Sequence, residues 1–329
     1  MEIAILGLPQ SGKSTLFQIM TGINSREIYG ETLVKGIAKV PDERFDTLVG
    51  VFKPAKATPA TIPFVDVSAT GEKGFDAVRQ SLSGVDGIVH IVNCFSAADS
   101  AEIIKRYRQL EDELIFSDLI IVERNIERIT KTPDSPLVKI LPRLKEHLEA
   151  GAPLRDMPLT KEETVAIRNY SFWSLKPELI VLNTAEGAVY DAAEFKKSTA
   201  ICCQIEAEIA GLQPSEQNEF LDSLGISTPA FHLIIQTALT QLERMYYFTV
   251  GEDEVKAWVI KKGSTAPQAA SAIHKDFERG FIKAEVVSYA DFVAYGKSLA
   301  GAKSAGKLRL EGKDYIVQDG DIISFRFNV

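Results

Sequence analysis

An α/β chain is predicted, with a P-loop sheet domain, an inserted α-helical hairpin and a C-terminal domain of the β-grasp type. Three observations predict it. A short apolar run, "EIAIL", leads into "GLPQSGKST" (residues 7–15) and then into the helical pattern "KSTLFQIMTG". Two long amphipathic patterns follow from residue 98. From about residue 246 the composition turns β-rich around a helical stretch. These place a nucleotide-binding domain at 1–97 plus 173–245, the helical hairpin at 98–172 and the last domain at 246–329.

The opening stretch fits the phosphate-cradling pattern G-x-x-x-x-G-K-[ST] from Gly7 to Ser14. Strand, loop and helix stand in the required order, so backbone N–H groups and the helix N-terminus both favour an anion. Gly7, Pro9, Gln10, Ser11, Gly12, Lys13, Ser14 and Thr15 form the expected cradle. Lys13 is expected to reach the β- and γ-phosphates and Ser14 to bind Mg²⁺. A second carboxylate is needed at the end of a neighbouring strand, and Asp66 in "TIPFVDV" is the candidate.

"KGIAKVP", "TIPFVDV" and "GIVHIVNCF" read as buried strands. "SAEIIKRYRQLEDELIFSDLIIVERNIERI" is one long helix, "SPLVKILPRLKEHLEAG" a second with Pro142 kinking it or setting its start, and "TKEETVAIRNYSF" a third opened by a capping box from Thr160 to Glu163. "PELIVLNTAEG" then places Asn183, Thr184 and Glu186 just past a buried strand, where ligands sit in open α/β sheets. In "ICCQI", Cys202, Cys203 and Gln204 are either walls of a base pocket or small buried side chains, and spacing alone favours the latter. In the last domain, "APQAASAIHKDFERGF" reads as one helix across the sheet.

Composition narrows the function. The 329 residues carry a net charge of −8, with 45% hydrophobic and 25% charged residues, ordinary for a globular protein. The acidity lies outside residues 247–329, which hold 12 Lys+Arg against 11 Asp+Glu. No apolar run reaches membrane-spanning length, and the N-terminus enters a strand directly. Three cysteines form no disulfide framework and no Cys/His spacing suits zinc. The expectation is a cytoplasmic protein without membrane or zinc, and a monomer.

With these pieces in order, the chain resembles the Obg-like ATPases, the YchF branch of the translation-factor P-loop proteins. "GLPQSGKSTLF", "VPDERFDTLVGVFKPAKATPATIPFVDV", "GVDGIVHIVNCF" and "KPELIVLNTAEG" carry the likeness, the last with N-x-x-E at Asn183 to Glu186. "KGSTAPQAASAIHKDFERGFIKAEVVSY" and "AGKLRLEGKDYIVQDGDIISFRFNV" are similar to the family's TGS domain, a β-grasp fold. The resemblance implies ATP or ADP with Mg²⁺ in preference to GTP or GDP, and association with ribosomes or RNA. The expected function is a ribosome- or RNA-associated switch with slow nucleotide hydrolysis. The alternative is a hydrolysis-deficient adaptor that keeps its nucleotide as a structural ligand.

Two departures from the family pattern bear on hydrolysis. In "DVSATGEKG", Ala69 stands where the glycine of D-x-x-G belongs, and the loop after it is short. No histidine stands in the short segment after "CF"; the four are His90, His147, His232 and His274. Ser68 or Thr70 is then the candidate to orient water beside Lys13 and Asp66. Thr32 is the candidate first-switch ligand to the metal, but it stands at an unusual distance from the following glycine.

The aspartate of the usual guanine-reading N-K-x-D accepts from two N–H groups of guanine that adenine lacks. With Glu186 standing in that motif, ADP is expected to bind more tightly than GDP. Calorimetric titration with both decides it, and equal or tighter GDP binding refutes the assignment of the base-reading loop.

Overall fold

A computed structural model describes residues 1–28, 31–69, 71–129, 136–188, 195, 198–223 and 228–328. The chain divides into two compact units, Met1–Ala38 with Ile62–Ile234, and Lys39–Thr61 with Ile235–Val329.

The first unit is built on β1 (Ile3–Leu6), β2 (Leu33–Lys39), β4 (Thr61–Val67), β5 (Gly87–Asn93), β6 (Glu178–Asn183) and β7 (Ser198–Ile201), in the order β2-β4-β1-β5-β6-β7. β1 runs parallel to β4 and β5, β5 to β6, and β6 to β7. Residues 3–6 are all buried, as a parallel sheet covered on both faces requires. Register sets the site: Ile5 lies opposite Asp66, and Asn93 opposite Asn183.

Helix α1 (Lys13–Thr21) buries Leu16, Phe17, Ile19 and Met20 and ends at Gly22, whose positive φ suits a glycine. α3 (Gly71–Val78) packs on α4 (Ser100–Ile129), whose bounds match the sequence pattern. α4 pairs with α5 (Leu137–Glu149), and the capping box opens α6 (Lys161–Ile167). Pro142 lies inside α5, five residues past its first, so it does not set the start. α7 (Cys203–Gly211) and α8 (Pro214–Ser223) follow β7, and α9 (Ala230–Gln241) leads out of the unit.

A buried ion pair ties α4 to its surroundings. The Arg79 guanidinium reaches Asp118 at 2.7 Å, and both side chains are essentially inaccessible. Asp118 also accepts from the backbone N–H groups of Trp173 and Ser174 and from the Ser174 hydroxyl. Burial pushes the Asp118 carboxyl upward, with Arg79 and the three donors pulling against it.

The second unit carries a six-stranded sheet ordered β11-β10-β12-β8-β9-β3. Its strands are β3 (Lys56–Thr58), β8 (Arg244–Thr249), β9 (Glu254–Lys261), β10 (Phe281–Ser288), β11 (Arg309–Glu311) and β12 (Asp321–Phe327). Residues 39–61, expected with the nucleotide-binding domain, group here instead. α2 (Glu43–Phe52) packs on β9, and Phe45 and Phe52 meet Phe248 and Phe292. Arg44 pairs with Asp42 and Asp319, and the Tyr246 hydroxyl donates to Asp42. The expected single helix is two, α10 (Ala266–Ser271) and α11 (Lys275–Arg279). His274 takes extended backbone between them and accepts from the Asp276 N–H, capping the second. α12 (Tyr289–Ala294) and α13 (Leu299–Ser304) complete the unit. Among the described residues no helix is long and apolar enough to cross a membrane.

Removing one member of a buried pair strands the other charge, at a cost of about 3–5 kcal/mol. Asp118→Ala is therefore expected to lower the unfolding free energy by that amount in a urea titration. A loss below about 1 kcal/mol would mean that water reaches Arg79.

Candidate functional site

The loop between β1 and α1 wraps into a tight cradle. Gln10 and Gly12 have positive φ, 62° and 101°. A Cβ on Gly12 would stand 2.4 Å from the Asn183 amide nitrogen, and one on Gly7 would stand 2.4 Å from the Ser11 hydroxyl and 2.8 Å from the Ile91 carbonyl. Both glycines are therefore required by space, and Gly12 also by backbone angle. Asn183, buried at the end of β6, donates its amide to the Ser11 carbonyl at 2.9 Å and accepts from the Cys203 N–H at 3.1 Å. Its side chain thus joins the loop to the start of α7.

A cavity of about 710 Å³ opens over this loop. Gln10, Ser11, Gly12, Lys13, Ser14 and Thr15 line one side, and Asn183, Thr184, Glu186, Cys202, Cys203 and Gln204 line another. The structure therefore brings the sequence-expected phosphate and base elements to one cavity. Cys202 and Cys203 both sit in its wall, and Cys203 is buried as well, so the two readings of the pair hold together there. Burial pushes the Cys203 thiol up to about 12, with Cys202 and Glu206 adding to the shift, so it stays neutral. Gly7 is buried under the loop, and Pro9 lines a smaller neighbouring cavity.

Lys13 is partly buried, and this lowers its pKa; Arg26 adds to the effect, and the Asp66 carboxylate opposes it. Asp66 is buried in β4, and its Oδ2 accepts the Ser25 hydroxyl. Its Oδ1 is buried without a hydrogen-bond partner, as is the Ser11 hydroxyl. Buried polar atoms seldom stay unpaired. A cation-ligating oxygen and a hydroxyl left open beside a lysine fit a magnesium-bound polyphosphate held by Ser14, Asp66 and Lys13.

The hydrolytic elements are placed differently. Ser68 and Thr32, like the buried Asp66, do not line the main cavity; the Ser68 N–H donates to the Thr32 carbonyl at 2.9 Å. Thr70 lies outside the described residues. Ala69 is buried in a core cluster with Leu6, Val67 and Phe75. The next glycine, Gly71, gives its N–H to the Glu113 carboxylate of α4 at 2.8 Å.

Sequence reasoning missed several contributors. Arg26 lines the cavity and donates to the Thr15 hydroxyl at 2.8 Å. Phe95, 46% exposed, also lines it, and the N–H groups of Cys94 and Phe95 both donate to the Asn183 carbonyl. A large aromatic exposed just past a buried strand was the available signal for Phe95. Ser25 and Arg26 had no such signal.

Residues 245–328 match the family model YchF-GTPase_C, described as a protein of unknown function (DUF933). The ribosome-binding ATPase YchF of Pasteurella multocida is 39% identical over 361 residues, covering 100% of this chain and 99% of the relative. The chain belongs to the YchF family. The Bacillus subtilis YchF, also named a ribosome-binding ATPase, is 38% identical over 365 residues, covering 99% and 98%. The solved YchF GTPase of Schizosaccharomyces pombe matches with a TM-score of 0.82 at 26% identity, covering 99% of this chain and 97% of that one. The likeness to YchF thus spans both units. An alignment of 361 positions on a 329-residue chain leaves the P. multocida YchF with segments that have no counterpart here.

Charge-assisted bonds such as those from Lys13 to phosphate are worth roughly 1.5–3 kcal/mol each. Lys13→Ala is expected to weaken ADP binding at least about tenfold. A lysine whose folded pKa is lowered costs the folded state stability at pH 7. The melting temperature of the nucleotide-free variant should therefore hold or rise. Unchanged ADP binding in calorimetry would remove the loop from the site.

Proposed function

We propose that this chain binds ATP and ADP with magnesium, associates with the ribosome or with RNA, and hydrolyses ATP slowly. It acts in the cytoplasm, with the nucleotide as the signal that its partner reads. The observation that carries the slow turnover is the contrast within the site. Lys13 and Ser14 line the cavity, with Asp66 buried close enough to act on the Lys13 charge, whereas Ala69 is packed into the core and Gly71 is bonded to Glu113.

Phosphoryl transfer to water rests on positioning and charge stabilisation. Magnesium, when bound, neutralises charge on the β- and γ-phosphate oxygens. Lys13 supplies the protein's own cation, and Ser14 and Asp66 supply the oxygens for the metal. The loop N–H groups other than that of Ser11, which donates to the Leu8 carbonyl, are left for the phosphate chain. Glu186 and Phe95, held beside Asn183, accompany Cys202 and Gln204 around the base. The N-x-x-E of Asn183 to Glu186 in place of N-K-x-D supports the adenine reading, and the Glu186 carboxylate can accept from an adenine amino group.

Turnover needs a donor to the γ-phosphate and a group that orients water. Gly71 already gives its N–H to Glu113, and Ala69 is packed into the core. Loss of one such group costs about 10²–10³ in rate. The names of the relatives support a ribosomal partner, and the helical pair α4–α5 and the C-terminal unit are the surfaces proposed to meet it. The adaptor reading shares the binding chemistry and differs in one respect: its nucleotide would never change.

Single-turnover assay without ribosomes is expected to give less than about one ATP per minute, with faster hydrolysis on Glu113→Ala. Co-sedimentation with ribosomal subunits is expected to differ between ATP and ADP. Steady hydrolysis at or above that rate in the unmodified chain, abolished by Lys13→Ala, would overturn the slow-switch reading. Ribosome binding that ignores the nucleotide would favour the adaptor.

A further inference from the structure

Among the hydrogen bonds that hold the phosphate loop, one comes from the stretch GVDGIVHIVNCF, outside the phosphate-cradling and N-x-x-E motifs. The Asn93 side-chain amide, at the end of β5, donates to the Gln10 carbonyl at 3.2 Å. Its register partner on β6 is Asn183, which does the same for the Ser11 carbonyl. Two neighbouring strands thus end in asparagines that hold two consecutive loop carbonyls.

Asn93 is itself held. Its Oδ1 accepts from the N–H and hydroxyl of Ser96. Arg106 of α4 donates to the Asn93 carbonyl at 2.9 Å, to the Ser96 hydroxyl at 3.1 Å and to the Ser96 carbonyl at 3.3 Å. Glu102, one turn earlier, fixes the guanidinium at 2.6 Å. One residue on, the Tyr107 hydroxyl donates to Glu178, the first residue of β6. Arg106 therefore projects from a helix that is anchored to the same sheet.

We infer that Asn93, set by Arg106, is a positioning residue that presets the phosphate loop and links it to the long helix of the inserted pair. A cavity of about 260 Å³, lined by Leu8, Pro9, Gln10, Asn93, Arg106 and Gln109 among others, lies against the loop. Close packing does not fix the Gln10 carbonyl on that side, so hydrogen bonds must. With its carbonyls held, the loop keeps its N–H groups turned toward phosphate before any nucleotide arrives, which lowers the ordering cost of binding. A displacement of α4 by a partner would move Arg106, release Asn93 and loosen the cradle. The relay rests on reading residues 7–14 as a phosphate site.

The test is calorimetric titration of the full-length protein with ADP and GDP, using Asn93→Ala, Arg106→Ala, Arg106→Lys and the double alanine variant, with Lys13→Ala as reference. One hydrogen bond of this kind is worth roughly a two- to tenfold change in affinity. Each alanine variant should weaken both nucleotides by the same factor in that range, because the effect lies on the phosphate side. The double variant should be no weaker than the stronger single one. Amide exchange of residues 10–15 in the nucleotide-free protein should quicken in each, a readout that a change in global stability alone would not confine to the loop. Lysine cannot reach three acceptors as the guanidinium fork does, so Arg106→Lys should bind between wild type and alanine and serves if an alanine variant fails to fold. Folded variants that bind ADP like wild type, or losses that simply multiply in the double variant, would overturn the relay. Normal ADP binding by Lys13→Ala would take down the phosphate site, and the relay with it.

Discussion

The backbone from Gly7 to Ser14 turns so that the Gln10 and Ser11 carbonyls face the protein, the arrangement that a loop offering its N–H groups to an anion requires. That reversal works only if the carbonyl side finds donors and no side chain intrudes. Asn183 and Asn93 are the donors, and the glycines at 7 and 12 leave the room. The order of the sheet follows from this need. β5 and β6 must lie side by side and in register for their terminal asparagines to reach adjacent carbonyls. The same demand changes the role of Asn183. Its amide donates to the loop and its oxygen accepts the Cys203 N–H, so this one side chain ties the loop to the start of α7.

The other half of the site obeys a different logic. Asp66 and Ser25 are buried and bonded to each other, and Lys13 lies close enough for the Asp66 charge to oppose the effect of burial on it. These groups are fixed whether or not the chain turns over. The segment after Asp66 has instead been recruited by the core and by α4 through Ala69 and Gly71. A methyl group in place of a hydrogen adds apolar contact that the glycine of the family pattern could not make. It also restricts the backbone where a switch would need to swing. Membership of a family whose relatives are named ATPases thus coexists with an Ala69 packed into the core and a Gly71 N–H held by Glu113.

The legible parts of this structure were those whose partners lie nearby in sequence or whose pattern is periodic. The cradle was legible because strand, glycines, lysine and helix fall within twenty residues. α4 was legible to its end residues because its apolar stripe persists over eight turns. The opaque parts depended on distant partners. Asn93 contacts a carbonyl 83 positions away, and nothing around it marks it as more than a strand's last residue. β3 is three residues long and mostly exposed, Lys-Ala-Thr, with no periodicity to find. The apolar face of α2 announced burial but could not say against which sheet. The break at His274 has no proline or glycine to signal it; the ring accepting the Asp276 N–H makes it.

The route of the chain through the second unit has a consequence for synthesis. β3 is parallel to β9, and almost two hundred residues separate the two in sequence. A chain growing at about 5–20 residues per second must carry β3 and the apolar face of α2 for on the order of ten seconds before β9 emerges. The first unit can close in that interval, but the second cannot. An early strand with an open edge is an opportunity for wrong pairing between neighbouring nascent chains. The shortness of β3 and its exposed lysine blunt that edge until its partner arrives. A fragment starting near residue 246 would lack β3 and α2 altogether, and would leave β9 as an uncovered edge.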